Sequence, residues 1–187
     1  MHADSDQNLK EAERIAALLL AEGLPVVVIG AAALAAHRYV RATRDVDLGV
    51  DADAGKMRGL LDLLRAAGYT AEFHEPDGDD PLGGVIDVSG AFGLVQIVNF
   101  GNRFPAAIRD ALAGEDIRMR PGGALRIMPI PQLVALKLYA GGWKSLADIV
   151  ELLRRNPEVD LQMIGETCRK YRLRGWEKVL EELQQAP

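Results

Sequence analysis

The segment from Val26 to Val50, VVVIGAAALAAHRYVRATRDVDLGV, constrains this chain more than any other. Val26, Val27, Val28 and Ile29 form an unbroken β-branched run, the pattern of a strand buried on both faces. Gly30 ends it, at a point where the backbone must turn tightly or be approached closely. A short small-residue helix is expected from Ala31 to about His37. After it comes Thr43-Arg44-Asp45-Val46-Asp47-Leu48. Residues i and i+2 of a strand point to one face, roughly 6.5 to 7 Å apart, so Asp45 and Asp47 project together while Val46 enters the core. Two like charges side by side destabilise a strand unless a cation lies between them. The pair therefore reads as a hard-cation site, for Mg²⁺ or Mn²⁺, completed by the phosphates of a nucleotide.

The rest of the sequence supplies the setting. The chain has 187 residues, enough for one well-buried domain or one domain with a helical extension. Its net charge of −5 excludes a uniformly basic nucleic-acid-binding surface but not a local patch. Cys168 is the single cysteine, so no intramolecular disulfide can form, and its basic helix would make the thiol somewhat acidic. No run of membrane-spanning length and no leader pattern is present, and a cytoplasmic location is expected.

In chain order, Ser5 or Asp6 is expected to cap a helix from about Gln7 to Glu22, and Asp53 a helix from Ala54 to Ala67. Tyr69–His74, Val85–Val88 and Leu94–Val98 read as strands, with a turn-rich solvated connection from Glu75 to Gly84. A helix over Phe104–Ala113 and short strands over Glu115–Arg120 and Leu125–Met128 follow. A helix from Pro131 to Ala140 carries Lys137, Gly141-Gly142 breaks it, and Ser145 is expected to cap the next helix to about Arg155. A lysine on an otherwise apolar helix is costly to bury unless it is paired or faces an anion such as a triphosphate. Two further helices contain Arg169, Lys170, Arg172, Arg174 and Lys178, read as a charged outer face, with Trp176 as a core anchor.

Gly30, Arg41, Thr43, Asp45 and Asp47 together resemble the core of the nucleotidyltransferase superfamily, the polymerase-β-like fold. Lys137, Lys144 and Asp148 extend the resemblance to its small AbiEii-type members of toxin-antitoxin and abortive-infection systems. It covers roughly residues 25–153. The resemblance implies an α/β (α+β) fold, a mixed sheet of about four or five strands flanked by helices, with a core over residues 1–128 and a helical C-terminal subdomain over 129–187. It further implies metal-dependent transfer of a nucleoside monophosphate from a nucleoside triphosphate to an acceptor hydroxyl. Asp45 and Asp47 would hold the metal. Gly30, Ala31, Arg44, Lys137 and Lys144 would bind the nucleotide, with Lys137 and Asp148 counted in the catalytic set and Asp148 orienting Lys137 or Lys144. The acceptor would be a tRNA, a protein hydroxyl or a small molecule, and a toxin-antitoxin partner protein is implied.

Two departures stand out. Ala31 occupies a place where the family usually has Gly or Ser. Gln96 aligns with the family's third catalytic carboxylate; its amide can ligate a metal but cannot act as a base, and Asp87 is the nearby substitute. Two other readings follow: a catalytically degenerate member that binds nucleotide or a protein partner without turnover, and an ordinary α/β domain with Asp45 and Asp47 splayed into solvent.

Overall fold

A computed structural model of the chain describes residues 2–43, 45–76, 83–101 and 104–185, with side chains described from Asp6 onward. Its elements run α1 (His2–Ala21), β1 (Val27–Ile29), α2 (Gly30–Ala36), β2 (Asp45–Val50), α3 (Ala54–Ala66), β3 (Thr70–His74), β4 (Val85–Gly90), β5 (Gly93–Asn99), α4 (Pro105–Ala113), β6 (Arg126–Ile127), α5 (Ile130–Ala140), α6 (Gly142–Arg155), α7 (Leu161–Lys170) and α8 (Trp176–Gln184). The strands make one mixed sheet in the order β3-β4-β5-β2-β1-β6. β2 pairs parallel with β5 and β1 with β6, whereas β1 with β2, β3 with β4 and β4 with β5 are antiparallel.

Alternation along each strand sorts the two faces of this sheet. Val46, Leu48, Val95, Ile97, Ile86 and Val88 are buried on one face, where α1 packs on β2 and β5. The other face carries Asp45, Asp47, Gln96 and Asp87, and is covered by α4 only near Gly49, whose missing side chain leaves room for Ile108. The carboxylate face is thus left partly open because it cannot be buried cheaply. α5 packs against α4, α6 and α7, and α6 against α8, so one continuous apolar core runs from Ala12 to Val179.

The structure corrects several local expectations. Among the described residues six strands pair rather than four or five, the sixth being the two-residue β6 at the sheet edge. Glu115–Arg120 forms no strand, and contributes only a bridge between Arg118 and Arg126. α1 begins ahead of Asp6, whose carboxylate pairs with Lys10 at 2.7 Å and Arg120 at 3.0 Å instead of capping. Ser145 is no cap either: Gly141 and Gly142, at φ of 71° and 80°, let the chain re-enter a helix immediately, so α6 starts at Gly142. The expected connection between β3 and β4 falls mainly on residues 77–82, outside the described residues. Asp53 does cap α3, accepting from the Lys56 N–H at 2.7 Å. Among the described residues no helix is long and apolar enough to cross a membrane.

Candidate active site

The site begins at the end of β1. Ile29 is the Cα partner of Asp47, so the turn that follows lies beside the Asp47 carboxylate. Gly30 sits there at φ of 62°, and a Cβ added to it would overlap Asp47 Oδ2. Only glycine accommodates both the left-handed backbone and the approach. The Ala31 methyl is buried, so the backbone is all that this residue can offer a ligand. Arg44 lies outside the described residues.

Thr43 Oγ1 donates to Asp45 Oδ1 and fixes that carboxylate. Asp45 and Asp47 are both half-buried, so they are not splayed into solvent. Burial first, and then the neighbouring charge of Asp45, push the Asp47 carboxyl up to about 6 against the opposing pull of Lys137 and Arg41. Neither carboxylate forms an ion pair among the described residues, and no cluster of three or more His, Cys, Asp or Glu able to hold a metal occurs among them. Two crowded oxygen donors with residual negative charge nevertheless suit a hard cation that brings its remaining ligands with it.

Opposite the pair, α5 and α6 place a second group of charges. Lys137 Nζ donates to Asp148 Oδ2 at 2.6 Å. Tyr39 Oη donates to Asp148 Oδ1 at 3.2 Å, and Arg41 Nη1 lies 3.4 Å from the same carboxylate. Asp148 is only 3% exposed, a buried charge stabilised by these partners. The family resemblance set Asp148 beside Lys137 or Lys144, and it is Lys137 that Asp148 meets. The arrival of Tyr39 and Arg41 from the loop after α2 could not be read from the sequence, since more than a hundred residues separate them from Asp148.

Two clefts meet at Lys137 and Ser145. One, of about 360 Å³, is lined by Gly30, Asp47, Phe100, Leu133, Lys137 and Tyr139. The other, of about 280 Å³, is lined by Lys137, Trp143, Ser145, Arg174 and Lys178, with Lys178 Nζ 4.1 Å from the centre of the Trp143 ring. Trp143 is 78% exposed, unusual for so large an apolar ring, and was not singled out by the sequence pattern. Lys144, in contrast, is exposed and lines neither cleft.

On the far side of Asp47, Gln96 is its Cα partner on β5, and Asp87 is the partner of Gln96 on β4. Gln96 Nε2 donates to Asp87 Oδ1 at 2.8 Å. Three other residues are structural. His37 Nε2 bonds the Met128 carbonyl at 2.8 Å, and Trp176 is buried. Cys168 is buried too, which pushes its thiol up to about 11, opposite to the acidic shift expected of a basic helix.

No protein-family model matches the sequence, and no curated protein matches it. Solved structures do. The solution structure of the antibiotic-resistance factor ANT(2'')-Ia aligns over 96% of this chain and 97% of its own, at 16% identity and a TM-score of 0.54. A crystal structure of ANT(2'')-Ia in complex with adenylyl-2''-tobramycin aligns over 87% and 95%, at 15% identity and the same TM-score. The chain therefore has a nucleotidyltransferase-like fold: a mixed sheet flanked by helices.

Proposed function

We propose that this protein transfers a nucleoside monophosphate from a nucleoside triphosphate to an acceptor hydroxyl. The observation that carries this reading is the Asp45–Asp47 pair, of which Asp47 abuts the Gly30 turn and lines one cleft with Lys137. Asp45 and Asp47 hold a divalent cation, which when bound supplies charge neutralisation of the triphosphate. The Gly30 turn lets the phosphates approach the backbone closely. Lys137, kept in place by Asp148, answers the triphosphate's charge, and Arg174, Lys178 and the Trp143 ring extend the binding surface from the same corner. The acceptor oxygen bonds the α-phosphorus as the bond to pyrophosphate breaks, and its proton passes to a carboxylate of the pair. Residues 1–128 supply Asp45, Asp47 and the Gly30 turn, and 129–187 supply Lys137, Arg174 and Lys178.

The AbiEii-type toxin assignment, with a partner protein, rests on the Lys137, Lys144 and Asp148 pattern. Within that pattern Lys137 and Asp148 are joined, whereas Lys144 stands apart. Because ANT(2'')-Ia is seen with an adenylylated small molecule, small-molecule hydroxyls join tRNA and protein hydroxyls as acceptors to test. A second reading, nucleotide binding without turnover, is favoured by one observation: the place next to Asp47 holds Gln96 and no carboxylate.

The test is thermal unfolding of the wild type and of Asp45→Ala/Asp47→Ala, with and without Mg²⁺ and each of the four nucleoside triphosphates. Ligand at 100 times its Kd adds about 2.7 kcal/mol to the native state. A Mg²⁺-dependent rise lost in the double variant is expected, and release of pyrophosphate on adding acceptors then separates transfer from binding. No rise with any triphosphate would refute both readings.

A further inference from the structure

The two carboxylates share their face of the sheet with other polar groups. Cα pairing sets Asp47 beside Gln96, Gln96 beside Asp87 and Asp87 beside Glu72, in one row across β2, β5, β4 and β3. Neighbouring strands lie about 4.8 Å apart, so Gln96 adjoins Asp47, whereas Asp87, two strands away, is about 10 Å from it. A cation bound about 2.1 Å from each ligand oxygen can be shared by Asp47 and Gln96 but not by Asp47 and Asp87. Asp87 instead receives Gln96 Nε2 at 2.8 Å on one oxygen and lies 3.2 Å from His74 Nε2 on the other. The Asp87 oxygens act as acceptors, so the Gln96 amide turns its nitrogen, not its oxygen, toward them. With its nitrogen anchored toward β4, the Gln96 amide has its carbonyl oxygen left for the β2 side.

We infer that Gln96 is a neutral oxygen ligand that completes the cation site begun by Asp45 and Asp47. Asp87, steadied by His74, is a positioning residue that turns the Gln96 carbonyl toward that site. This rests on the proposed function in taking a divalent cation as the occupant of the carboxylate pair. Amide carbonyls are ordinary ligands for hard cations, and outer hydrogen-bond partners set the orientation of inner ligands. A neutral third ligand leaves the site with one negative charge fewer than three carboxylates would give. The cation is then held weakly by protein alone and firmly only with the triphosphate.

The test is Mn²⁺ binding by the full chain, read from the electron paramagnetic resonance signal of free Mn²⁺ with and without ATP, each variant first being checked for folding by thermal unfolding. Gln96→Ala and Asp87→Ala are each expected to weaken binding about 10- to 100-fold. The double variant should lose no more than either single one, because Asp87 acts through Gln96. The exchange variant Gln96→Glu/Asp87→Asn keeps a donor and an acceptor across the same gap while moving the carboxylate next to Asp47, and is expected to bind Mn²⁺ more tightly than wild type. Should Asp87→Ala fail to fold, the exchange variant carries the test alone. Additive losses, wild-type affinity in Asp87→Ala, or no gain in the exchange variant would each overturn the inference. A wild type whose weak Mn²⁺ binding is unchanged by Asp45→Ala/Asp47→Ala would instead overturn the proposed function beneath it.

Discussion

Gly30 and Asp47 are the residues on which the site turns, and each carries a separable prediction. Gly30→Ala forces a Cβ into Asp47 Oδ2 at a backbone φ of 62°. It should destabilise the protein by about 1 to 3 kcal/mol and displace Asp47, which thermal unfolding and Mn²⁺ affinity would register together. Asp47 binds its proton up to about pH 6 in the folded chain, against an ordinary value of 3.8. Between those values the folded state holds more protons than the unfolded one, so stability falls as pH rises through the window. By about pH 7 the ionised carboxylate costs the metal-free protein roughly 3 kcal/mol. Asp47→Asn should therefore be more stable than wild type near neutral pH without divalent cation, and lose that advantage toward about pH 4. Urea unfolding across the range measures it; an advantage independent of pH would mean that Asp47 is better hydrated than its burial indicates.

At the scale of elements, what could be read in advance was whatever depends on neighbours in sequence. Asp53 and Lys56 lie three residues apart, and the cap they form follows from local chemistry. Asp53→Ala should cost about 1 kcal/mol, with faster amide exchange confined to the first turn of α3. The same local rule failed at Ser145 and Asp6, because a longer-range geometry won. At Ser145 two positive-φ glycines began the helix a turn early, which left the serine facing the two clefts. At Asp6 an i,i+4 partner and the distant Arg120 took the carboxylate. At β6, Arg118 and Arg126 both turn their side chains to Asp116, and their backbones meet in one isolated bridge.

For the molecule as a whole, the apolar core passes without interruption from the sheet into α5 through α8. Residues 1–128 and 129–187 should accordingly unfold together, whatever division of labour they have in function. Both tryptophans, Trp143 and Trp176, lie in the C-terminal helices, so their fluorescence reports that part while far-ultraviolet circular dichroism reports the whole. Coincident denaturant transitions are expected. A fluorescence transition that precedes the dichroism change would show that the helical part melts on its own.

The sequence by itself determined the buried strand, the Gly30 turn and the common face of Asp45 and Asp47, because these follow from a two-residue strand period and from backbone sterics. Through the family resemblance it also set Asp148 with Lys137 or Lys144, and the structure decided for Lys137. Only the tertiary structure decided the strand order, the convergence of Tyr39 and Arg41 on Asp148, and the row that runs from Asp47 through Gln96 to Asp87. Each of those depends on register between strands or on contacts between segments far apart in the chain. Local periodicity says which face a side chain occupies, but not what the fold will bring up against it.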